Sequence, residues 1–282
     1  MKIAWIGTGV MGKPMLLHLH ENGYEVNAYN RTYQKTESLK EKGIHVYKTI
    51  EECVQDAEVI FTMVGYPKDV EEVYEKIFKY ASKGSILVDM TTSSPQLAKQ
   101  LYEKAKSLGL FMLDAPVSGG DSGAKNATLS IMVGGDKEIY EKIVPLFHCM
   151  GSSLHYMGEA GSGQHCKACN QIAVAGAVAA MSEAIVYAKA QNLDVKSVFD
   201  AIRGGAAGSW QIDHNAPRVL NNDFEPGFYI KHFVKDMHII QQEMKGKHEL
   251  EMLHTVCSMY EKLAENGESD NGTQALLHYY EK

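Results

Sequence analysis

The chain begins MKIAWIGTGVMGKPM (residues 1–15), and this stretch decides how its first half is interpreted. The apolar run Ile3–Ile6 predicts a buried strand and a helix is predicted shortly after it. Between them lies a G-x-G-x-x-G turn made of Gly7, Thr8, Gly9, Val10, Met11 and Gly12. A strand, a tight glycine turn and a helix bring backbone N–H groups and the positive end of the helix dipole to a pyrophosphate. The opening therefore predicts a dinucleotide-binding βαβ unit.

The same glycines also fit a mononucleotide phosphate loop, so the residues after them matter. Gly7-x4-Gly12-Lys13 matches the spacing of that loop, but position 14 is Pro where a Ser or Thr hydroxyl would have to bind magnesium. This substitution argues against an ATPase.

The end of the second predicted strand bears on which dinucleotide binds. NAD enzymes usually place Asp or Glu there for the ribose 2′-hydroxyl, whereas this chain has Asn30, Arg31 and Thr32. A guanidinium without a neighbouring carboxylate in the sequence suits a 2′-phosphate, because it pairs bidentately with phosphate oxygens. The sequence thus favours NADP over NAD. The alternative is that Arg31 merely opens the next helix in solvent.

Composition excludes several classes of protein. The 282 residues, of which 45% are hydrophobic and 22% charged, are typical of a soluble globular chain with about two domains. A net charge of −7 gives no electrostatic footprint for nucleic acid, and the most apolar stretch, 172–181, has about half the length of a membrane span. The N-terminus lacks the pattern of a signal peptide, and five irregularly spaced cysteines form no disulfide framework. We therefore expect a reduced, cytoplasmic protein with no nucleic-acid partner and no membrane partner.

Short β-like runs alternate with amphipathic helices up to about residue 157, which predicts a Rossmann-type, doubly wound α/β sheet. The predicted strands are 2–6, 25–30, 58–63, 85–90, 110–115, 129–134 and 153–156, and the helices among them include 13–20, 33–42, 69–80, 95–108 and 137–148. After the glycine-rich joint 158–163 only helices are predicted, over 164–191, 195–203, 212–220, 230–244, 250–266 and 273–280. We predict a dinucleotide-binding domain over 1–160 and an all-α substrate and dimerisation domain over 161–282.

Two further segments carry residues suited to chemistry. Asp114-Ala115-Pro116-Val117-Ser118-Gly119-Gly120 follows a predicted strand, and its glycines either present backbone N–H groups to an anion or simply make a tight turn. Lys167 and Asn170 share one face of a predicted helix, where a protonated Lys can donate to a substrate oxygen and an Asn can orient the substrate. A solvated Lys fits that spacing equally well, and Lys235-Asp236 taken alone is an ordinary charged patch.

Metal and redox chemistry have weaker support. Cys166 and Cys169 form a C-x-x-C pair, but no second pair completes a zinc site and no thioredoxin-like context surrounds it. None of the twelve histidines lies in an H-E-x-x-H pattern. We expect no metal site.

Taken in order, these blocks resemble the β-hydroxyacid dehydrogenase family, which includes 3-hydroxyisobutyrate dehydrogenase, tartronate semialdehyde reductase and the glyoxylate/succinic semialdehyde reductases. The resemblance spans nearly the whole chain. It rests on the glycine turn, the segment 114–120, Gly161-Ser162-Gly163 with Lys167 and Asn170, and Lys235-Asp236. It implies a Rossmann-type domain followed by an all-α domain, in a homodimer or homotetramer.

The resemblance also implies a role for each matched residue. Lys167 would be the general acid/base, and Asn170 would fix the substrate. Ser118, Gly119 and Gly120 would hold the substrate carboxylate, and Lys235 would contact both substrate and cofactor. Further cofactor contacts would come from the glycine turn and from Asn30, Arg31, Thr32, Met63, Val64, Thr92 and Asp236.

Three positions depart from the patterns of these families. Family members commonly have Leu-Pro after the Met that ends the corresponding strand, whereas this chain has Val64-Gly65-Tyr66-Pro67. The related 6-phosphogluconate dehydrogenases place a His where this chain has Asn170, which weakens a sugar-phosphate interpretation. Gln171 replaces a second Asn seen in many relatives.

The resulting expectation is hydride transfer between NADP(H), or alternatively NAD(H), and a small 3-hydroxy acid or semialdehyde that bears a carboxylate. Two alternatives stay open. One is an NAD-dependent oxidation of the 3-hydroxyisobutyrate type, and the other is a non-catalytic NAD(P)-binding sensor.

Overall fold

The structure is a computed structural model that describes residues 1–281. The chain divides into two compact units, Met1–Lys167 and the remainder from Ala168 onward. We describe each unit by itself.

Unit 1 is built on a nine-stranded sheet with helices between the strands. Its strands are β1 (Lys2–Ile6), β2 (Glu25–Tyr29), β3 (His45–Tyr47), β4 (Val59–Thr62), β5 (Ile86–Asp89), β6 (Phe111–Asp114), β7 (Val117–Ser118), β8 (Leu129–Gly135) and β9 (Gly151–Gly158). Its helices are α1 (Gly12–Glu21), a 3₁₀ turn Tyr33–Thr36, α2 (Glu37–Lys40), α3 (Ile50–Val54), α4 (Pro67–Tyr80), α5 (Pro95–Ser107), α6 (Gly120–Lys125) and α7 (Lys137–His148).

The first six strands form a parallel sheet in the order β3-β2-β1-β4-β5-β6, and β8 then pairs antiparallel with β6 and β7 and parallel with β9. This is the strand order of the dinucleotide-binding Rossmann fold, in which ligands bind at the carboxyl ends of the strands. The predicted fold class is therefore confirmed.

The sheet has apolar layers on both faces. Along β1, Ile3 and Trp5 pack into one buried cluster, whereas Ala4 and Ile6 pack into another. Successive side chains of a strand point to opposite faces, so a fully apolar run such as Ile3–Ile6 is what a strand covered on both sides requires.

Four short elements of unit 1 were not predicted: strands β3 and β7 and helices α3 and α6. Each spans two to six residues, too few to show a periodicity in the sequence. The helix predicted over 33–42 is a 3₁₀ turn followed by the four-residue α2.

In the described residues of unit 2 the regular elements are all helices, apart from one isolated bridge between Tyr229 and Gly272. The long helix α8 (Ser162–Ala190) begins in unit 1 and continues into unit 2. It is followed by α9 (Val195–Ile202), a π-helical turn Gln211–Asn215, α10 (Ala216–Leu220), α11 (Ile230–Met244), α12 (Glu251–Leu263), a π-helical turn Ala264–Glu268 and a 3₁₀ helix Thr273–Tyr279. The helix predicted over 250–266 ends earlier because the chain changes to a π-helical turn in which Gly267 has a φ of 91°.

By length and composition alone α8 is long and apolar enough to cross a membrane, a property that it shares with core helices of soluble proteins. One face of α8, which includes Val178, Met181 and Ile185, is fully buried in the apolar core of unit 2. The same apolar core also contains Met237 of α11 and Tyr260 of α12. The burial accounts for the apolar residues of that face.

Candidate active site

The glycine turn connects β1 to α1 at the carboxyl end of β1, as predicted. Gly7 donates its N–H to the Tyr29 carbonyl oxygen at 2.8 Å, and its own carbonyl accepts from the buried Trp5 Nε1 at 2.8 Å. A Cβ on Gly12 would lie 2.1 Å from the Gly7 oxygen, whereas a Cβ on Gly9 would meet no atom within 4 Å. Gly12 thus permits close packing of α1 on the turn, and Gly9 leaves its backbone open to an approaching group.

Met63 and Val64 follow β4, the strand next to β1, and lie against the same turn. A Cβ on Gly7 would lie 2.2 Å from the Met63 carbonyl oxygen and 3.3 Å from a Val64 methyl group. The Val64 N–H donates to the Thr91 hydroxyl at 3.0 Å, which links this loop to the one after β5. Three of the predicted cofactor segments therefore meet at one edge of the sheet.

Asn30, Arg31 and Thr32 follow β2 at the same edge. The Asn30 side chain accepts from the Thr8 N–H at 3.0 Å and donates to the Thr32 carbonyl at 2.9 Å, so it shapes the turn itself. Arg31 Nη1 pairs with Asp69 Oδ1 at 2.9 Å, yet 82% of the Arg31 side chain is exposed. Asp69 also accepts from the Tyr66 N–H at the start of α4 and so is fixed in place. The sequence did not reveal this partner of Arg31.

A buried carboxylate holds the beginning of α8. Asp114, at the end of β6, accepts from the Gly161 N–H at 2.7 Å and from the Gln164 N–H at 2.8 Å. A carboxylate at a helix N-terminus satisfies N–H groups that lack partners within the helix and opposes the positive end of its dipole. Burial raises the pKa of Asp114, and the backbone hydrogen bonds from Gly161 and Gln164 oppose that rise.

Gln164 ties the same helix turn to the loop after β5. Its Nε2 donates to the Thr91 carbonyl at 2.7 Å, and its Oε1 accepts from the Ser93 N–H at 2.9 Å. The side chain thus binds the backbone on both sides of Thr92, a predicted cofactor contact. Sequence reasoning missed both Asp114 and Gln164 as positioning residues, although Asp114 lies in the segment that it singled out.

Lys167 follows Gln164 by three residues on α8, and only 8% of it is exposed. The interpretation of Lys167 as a solvated surface lysine is therefore wrong. A lysine is almost never this buried unless its ammonium group has a partner. The first turn of α8, which immediately precedes it, is held by the Asp114 carboxylate and by the hydrogen bonds of the Gln164 side chain.

Ser118, Gly119 and Gly120 lie where β7 gives way to α6. Ser118 is paired in register with Ser130 of β8, which anchors the segment to the sheet. Gly119 and Gly120 have φ angles of 130° and 62°, a backbone shape that other residues rarely adopt. The turn is thus both anchored and glycine-dependent.

In unit 2 the predicted residues Asn170, Lys235 and Asp236 form one polar chain through Gln171. Asn170 Nδ2 donates to Gln171 Oε1 at 2.7 Å, and Gln171 Nε2 donates to Asp236 Oδ2 at 2.6 Å. Lys235 Nζ lies 2.8 Å from the other Asp236 oxygen. Gln171 and Asp236 are 3% and 2% exposed, so this chain joins α8 to α11 inside the unit. Gln171, noted in the sequence only as a departure from the family, is its central member.

Asp89 is a second buried carboxyl group beneath the cofactor loops. Thr62 Oγ1 and the Thr91 N–H donate to its Oδ1 at 2.8 and 3.1 Å. Burial raises the pKa of Asp89 to about 6, although the hydrogen bonds from Thr91 and Thr62 oppose the rise. Thr91 in turn accepts from Val64, so Asp89 supports the loop after β4 indirectly.

Three observations fit a bound dinucleotide at the carboxyl edge of β1. The buried Thr8 Oγ1 has no hydrogen-bond partner among the residues that the structure describes. The backbone at Gly9 faces open space, and no side chain caps the N-terminus of α1. A hydroxyl, an accessible backbone and uncapped N–H groups are the donors that a pyrophosphate accepts from.

Comparison with known proteins agrees with this geometry. Residues 2–158 match the model of the NAD-binding domain of 6-phosphogluconate dehydrogenase, and residues 161–280 match the NAD-binding model of NADP-dependent 3-hydroxyisobutyrate dehydrogenase. The chain is 49% identical to the uncharacterized oxidoreductase YkwC of Bacillus subtilis, with 99% of each chain covered. It is 35% identical to the 2-hydroxy-3-oxopropionate reductase of Escherichia coli, covering 100% of this chain and 97% of that protein.

Among solved structures, the 3-hydroxyisobutyrate dehydrogenase of Mycobacterium tuberculosis with L-serine superposes with a TM-score of 0.93 at 30% identity, covering 100% of this chain and 99% of that one. Two family models that together span nearly the whole chain, and relatives of this similarity, agree with the resemblance drawn from the motifs. The chain belongs to the β-hydroxyacid dehydrogenase family and is an NAD(P)-dependent oxidoreductase that acts on hydroxyl groups of hydroxy acids.

Proposed function

We propose that this enzyme catalyses the NADPH-dependent reduction of a small carboxylate-bearing aldehyde to the corresponding hydroxy acid. The observation that carries the proposal is the position of Lys167. It is buried, and it lies one helical turn after Gln164. The Gln164 side chain hydrogen-bonds to the backbone on both sides of Thr92, in a loop predicted to contact the cofactor. A general acid for carbonyl reduction must be held in this way beside the cofactor.

When bound, NADPH supplies the hydride that reduces the carbonyl carbon. The ammonium group of Lys167 donates a proton to the carbonyl oxygen, which becomes the hydroxyl of the product, and solvent then restores the lysine proton. Ser118, Gly119 and Gly120 hold the substrate carboxylate, and Asn170 and Lys235 orient the substrate. Fixing the carboxylate fixes the reacting carbon, and such positioning supplies a large share of enzymatic rate enhancement.

The preference for NADP(H) rests on Arg31. No carboxylate follows β2, and the Arg31 guanidinium is exposed at the rim of the turn while Asp69 holds it through one nitrogen. A guanidinium held in this way offers its remaining N–H groups to a ribose 2′-phosphate. Thr32 and Asn30 shape the backbone beside it.

The substrate class follows from the same residues and from two relatives. The E. coli relative is a 2-hydroxy-3-oxopropionate reductase, and the M. tuberculosis structure contains L-serine. Both of these are small molecules with a carboxylate close to an aldehyde or hydroxyl carbon. We therefore expect glyoxylate, succinic semialdehyde, tartronate semialdehyde or methylmalonate semialdehyde to be reduced.

A cofactor-consumption assay with these four aldehydes tests the proposal. Each is incubated with NADPH and, separately, with NADH, and 3-hydroxyisobutyrate and L-serine are assayed with NADP⁺ and NAD⁺ in the opposite direction. The proposal requires NADPH consumption with at least one aldehyde. Turnover restricted to NAD⁺ with 3-hydroxyisobutyrate would favour the oxidation of that type instead. Tight cofactor binding with no turnover of any compound would favour a non-catalytic sensor.

We further propose that the protein is cytoplasmic and acts as a homo-oligomer. All five cysteines are free thiols, as a reducing compartment requires. Light scattering coupled to size exclusion measures the mass in solution. A homodimer or homotetramer is expected, and a mass of 31.2 kDa would contradict that part of the proposal.

A further inference from the structure

A cluster of three metal-ligating side chains lies in unit 2, apart from the residues assigned to catalysis. His238 belongs to α11, and Cys257 and Glu261 belong to α12. One ligating atom from each lies within 4.8 Å of the other two. His238 Nε2 and Glu261 Oε1 are already hydrogen-bonded at 2.6 Å.

The helices determine this arrangement. Cys257 and Glu261 are four residues apart on α12 and so lie on one helix face. α11 packs against α12 and brings His238 to that face. No short spacing in the sequence reveals the cluster, because eighteen residues separate His238 from Cys257. The expectation of no metal site was drawn from short-range spacing alone.

The three side chains of the cluster differ in their exposure to solvent. Cys257 is 1% exposed, whereas the side chains of His238 and Glu261 are 52% and 42% exposed. His238 also lines a groove of about 600 Å³. An ion can therefore reach the cluster from solvent, while the thiol side of the site stays dry.

The donor set selects the class of ion. Thiolate and imidazole suit borderline ions such as Zn²⁺, whereas Mg²⁺ and Ca²⁺ prefer oxygen ligands. A His, a Cys and a Glu make a three-ligand site with a fourth position left for water. Gln241, one turn after His238, hydrogen-bonds to the Cys257 sulfur and would support the thiolate as an outer partner.

We propose that His238, Cys257 and Glu261 bind one Zn²⁺-class ion that fastens α11 to α12. The ion sits roughly 2.0–2.3 Å from each ligand atom, so it replaces the present hydrogen bond between His238 and Glu261. Cys257 is a buried thiol and enters the reaction protonated. Coordination replaces the S–H bond by a sulfur–metal bond and releases the proton to solvent. The site lies one helical turn from Lys235 and Asp236 on α11.

Cobalt substitution tests this proposal on the full-length protein. Co²⁺ bound to a thiolate gives a ligand-to-metal charge-transfer band in the near ultraviolet, and titration gives its stoichiometry. We expect one equivalent per chain in the wild type, loss of the band in Cys257→Ser, and at least about tenfold weaker binding in Glu261→Gln and His238→Ala. His254→Ala, which removes a histidine from the same groove but not from the cluster, serves as the matched control and should bind like the wild type.

Thermal unfolding provides a second readout that does not depend on colour. Zn²⁺ should raise the Tm of the wild type and of His254→Ala by more than that of Glu261→Gln, whose side chain is 42% exposed and can be changed with little effect on the core. Mg²⁺ should raise none of them. The proposal is overturned if the wild type shows no charge-transfer band with excess Co²⁺. It is also overturned if the band persists in Cys257→Ser and disappears in Cys169→Ser, since the C-x-x-C pair would then be the ligand.

Discussion

At the scale of single residues, the three glycines of the first turn meet different steric demands. Gly7 has a φ of 100°, and a Cβ there would lie 2.2 Å from the Met63 oxygen. Gly12 is blocked by the Gly7 oxygen at 2.1 Å, whereas Gly9 faces open space. The motif therefore combines two glycines that the fold needs with one that only the ligand needs.

Replacing Gly9 or Gly12 by Ala separates the space that the ligand requires from the space that the fold requires. Gly12→Ala should destabilise the protein by about 1–3 kcal/mol, the usual range for overpacking. Gly9→Ala should leave the Tm nearly unchanged and raise the Kd for NADPH at least about tenfold, because the new methyl group occupies space that the phosphates approach. Calorimetric unfolding and NADPH fluorescence titration measure the two effects. NADPH binding as tight in Gly9→Ala as in the wild type would contradict this assignment.

The proposed preference for NADP(H) rests on a single side chain, that of Arg31. Arg31→Ala should raise the Kd for NADPH by roughly 10- to 100-fold, since a hydrogen bond to a charged group contributes about 1.5–3 kcal/mol. The Kd for NADH, which has no 2′-phosphate, should change less than about twofold. Arg203→Ala, which removes the same charge from unit 2, is the matched control. Parallel loss of both cofactors in Arg31→Ala would show that Arg31 only shapes the turn.

The residues of this turn were predictable because the motif is continuous in the sequence. The partner of Arg31 was not, because Asp69 lies 38 residues further along and is brought near by the packing of α4 beside the turn. Asp114 and Gln164 are 50 residues apart and were missed for the same reason. Contacts of this kind depend on strand order, which a short motif does not encode.

At the scale of elements, the first turn of α8 is the link between fold and chemistry. Asp114 caps it from β6, and a Cβ on Gly163 would lie 2.3 Å from the Met132 oxygen, so the helix begins in close contact with the sheet. The sequence placed this helix within two residues of its observed start and end. It could not show that the helix is fastened by a carboxylate from another strand.

Asp114→Asn tests whether that cap positions Lys167. An amide can accept only one of the two backbone N–H groups, so we expect a loss of about 1–3 kcal/mol in the free energy of unfolding. We also expect a fall in kcat of at least about tenfold with little change in the KM for NADPH, because small displacements of a catalytic group reduce rates strongly. Asp194→Asn makes the same change at the exposed cap of α9 and should leave kcat unaltered. Unaltered kcat in Asp114→Asn, despite lower stability, would show that the cap is only structural.

Element prediction succeeded where periodicity extends over a whole helix. Helices α7 and α11 were predicted to the residue, since their apolar positions recur over 12 and 15 residues. It failed at α6 and β7, which together occupy only residues 117–125. Within so short a span, the glycine-rich turn dominates the local pattern.

At the scale of the whole molecule, Asp89 makes stability depend on pH. Its folded pKa of about 6 lies above its ordinary value of 3.8, so the folded state binds this proton more tightly than the unfolded state does. The resulting stability is fully present below pH 4 and is lost as the pH rises through about 6. A pKa that is higher by about two in the folded state corresponds to about 3 kcal/mol in the free energy of unfolding.

Asp89→Asn should remove this dependence. Asn keeps an oxygen that can accept from Thr62 and Thr91 but does not titrate in this range. We expect the difference in unfolding free energy between variant and wild type to change by about 2.5 kcal/mol between pH 4 and pH 7, with the variant gaining at the higher pH. Urea unfolding at the two pH values measures it. A constant difference would mean that Asp89 stays charged throughout.

The order of the motifs in the sequence identified the family, because four blocks spread along the chain are more specific than any one of them. The sequence did not predict the polar chain through Gln171 in unit 2, nor the cluster of metal-ligating side chains on α11 and α12. Both are made by helix packing between residues far apart in the sequence, and neither carries a recurring local pattern.

The measurement that tests the central claim most directly is kcat for Lys167→Met with NADPH and the best aldehyde. Met fills a similar volume without an ammonium group, so the buried site should stay packed. We predict a loss of 10²–10⁴-fold in kcat, the usual contribution of a general acid, with the Kd for NADPH within about twofold of the wild type. A loss of only about twofold in kcat, with NADPH binding intact, would contradict the account, because Lys167 could then not supply the proton.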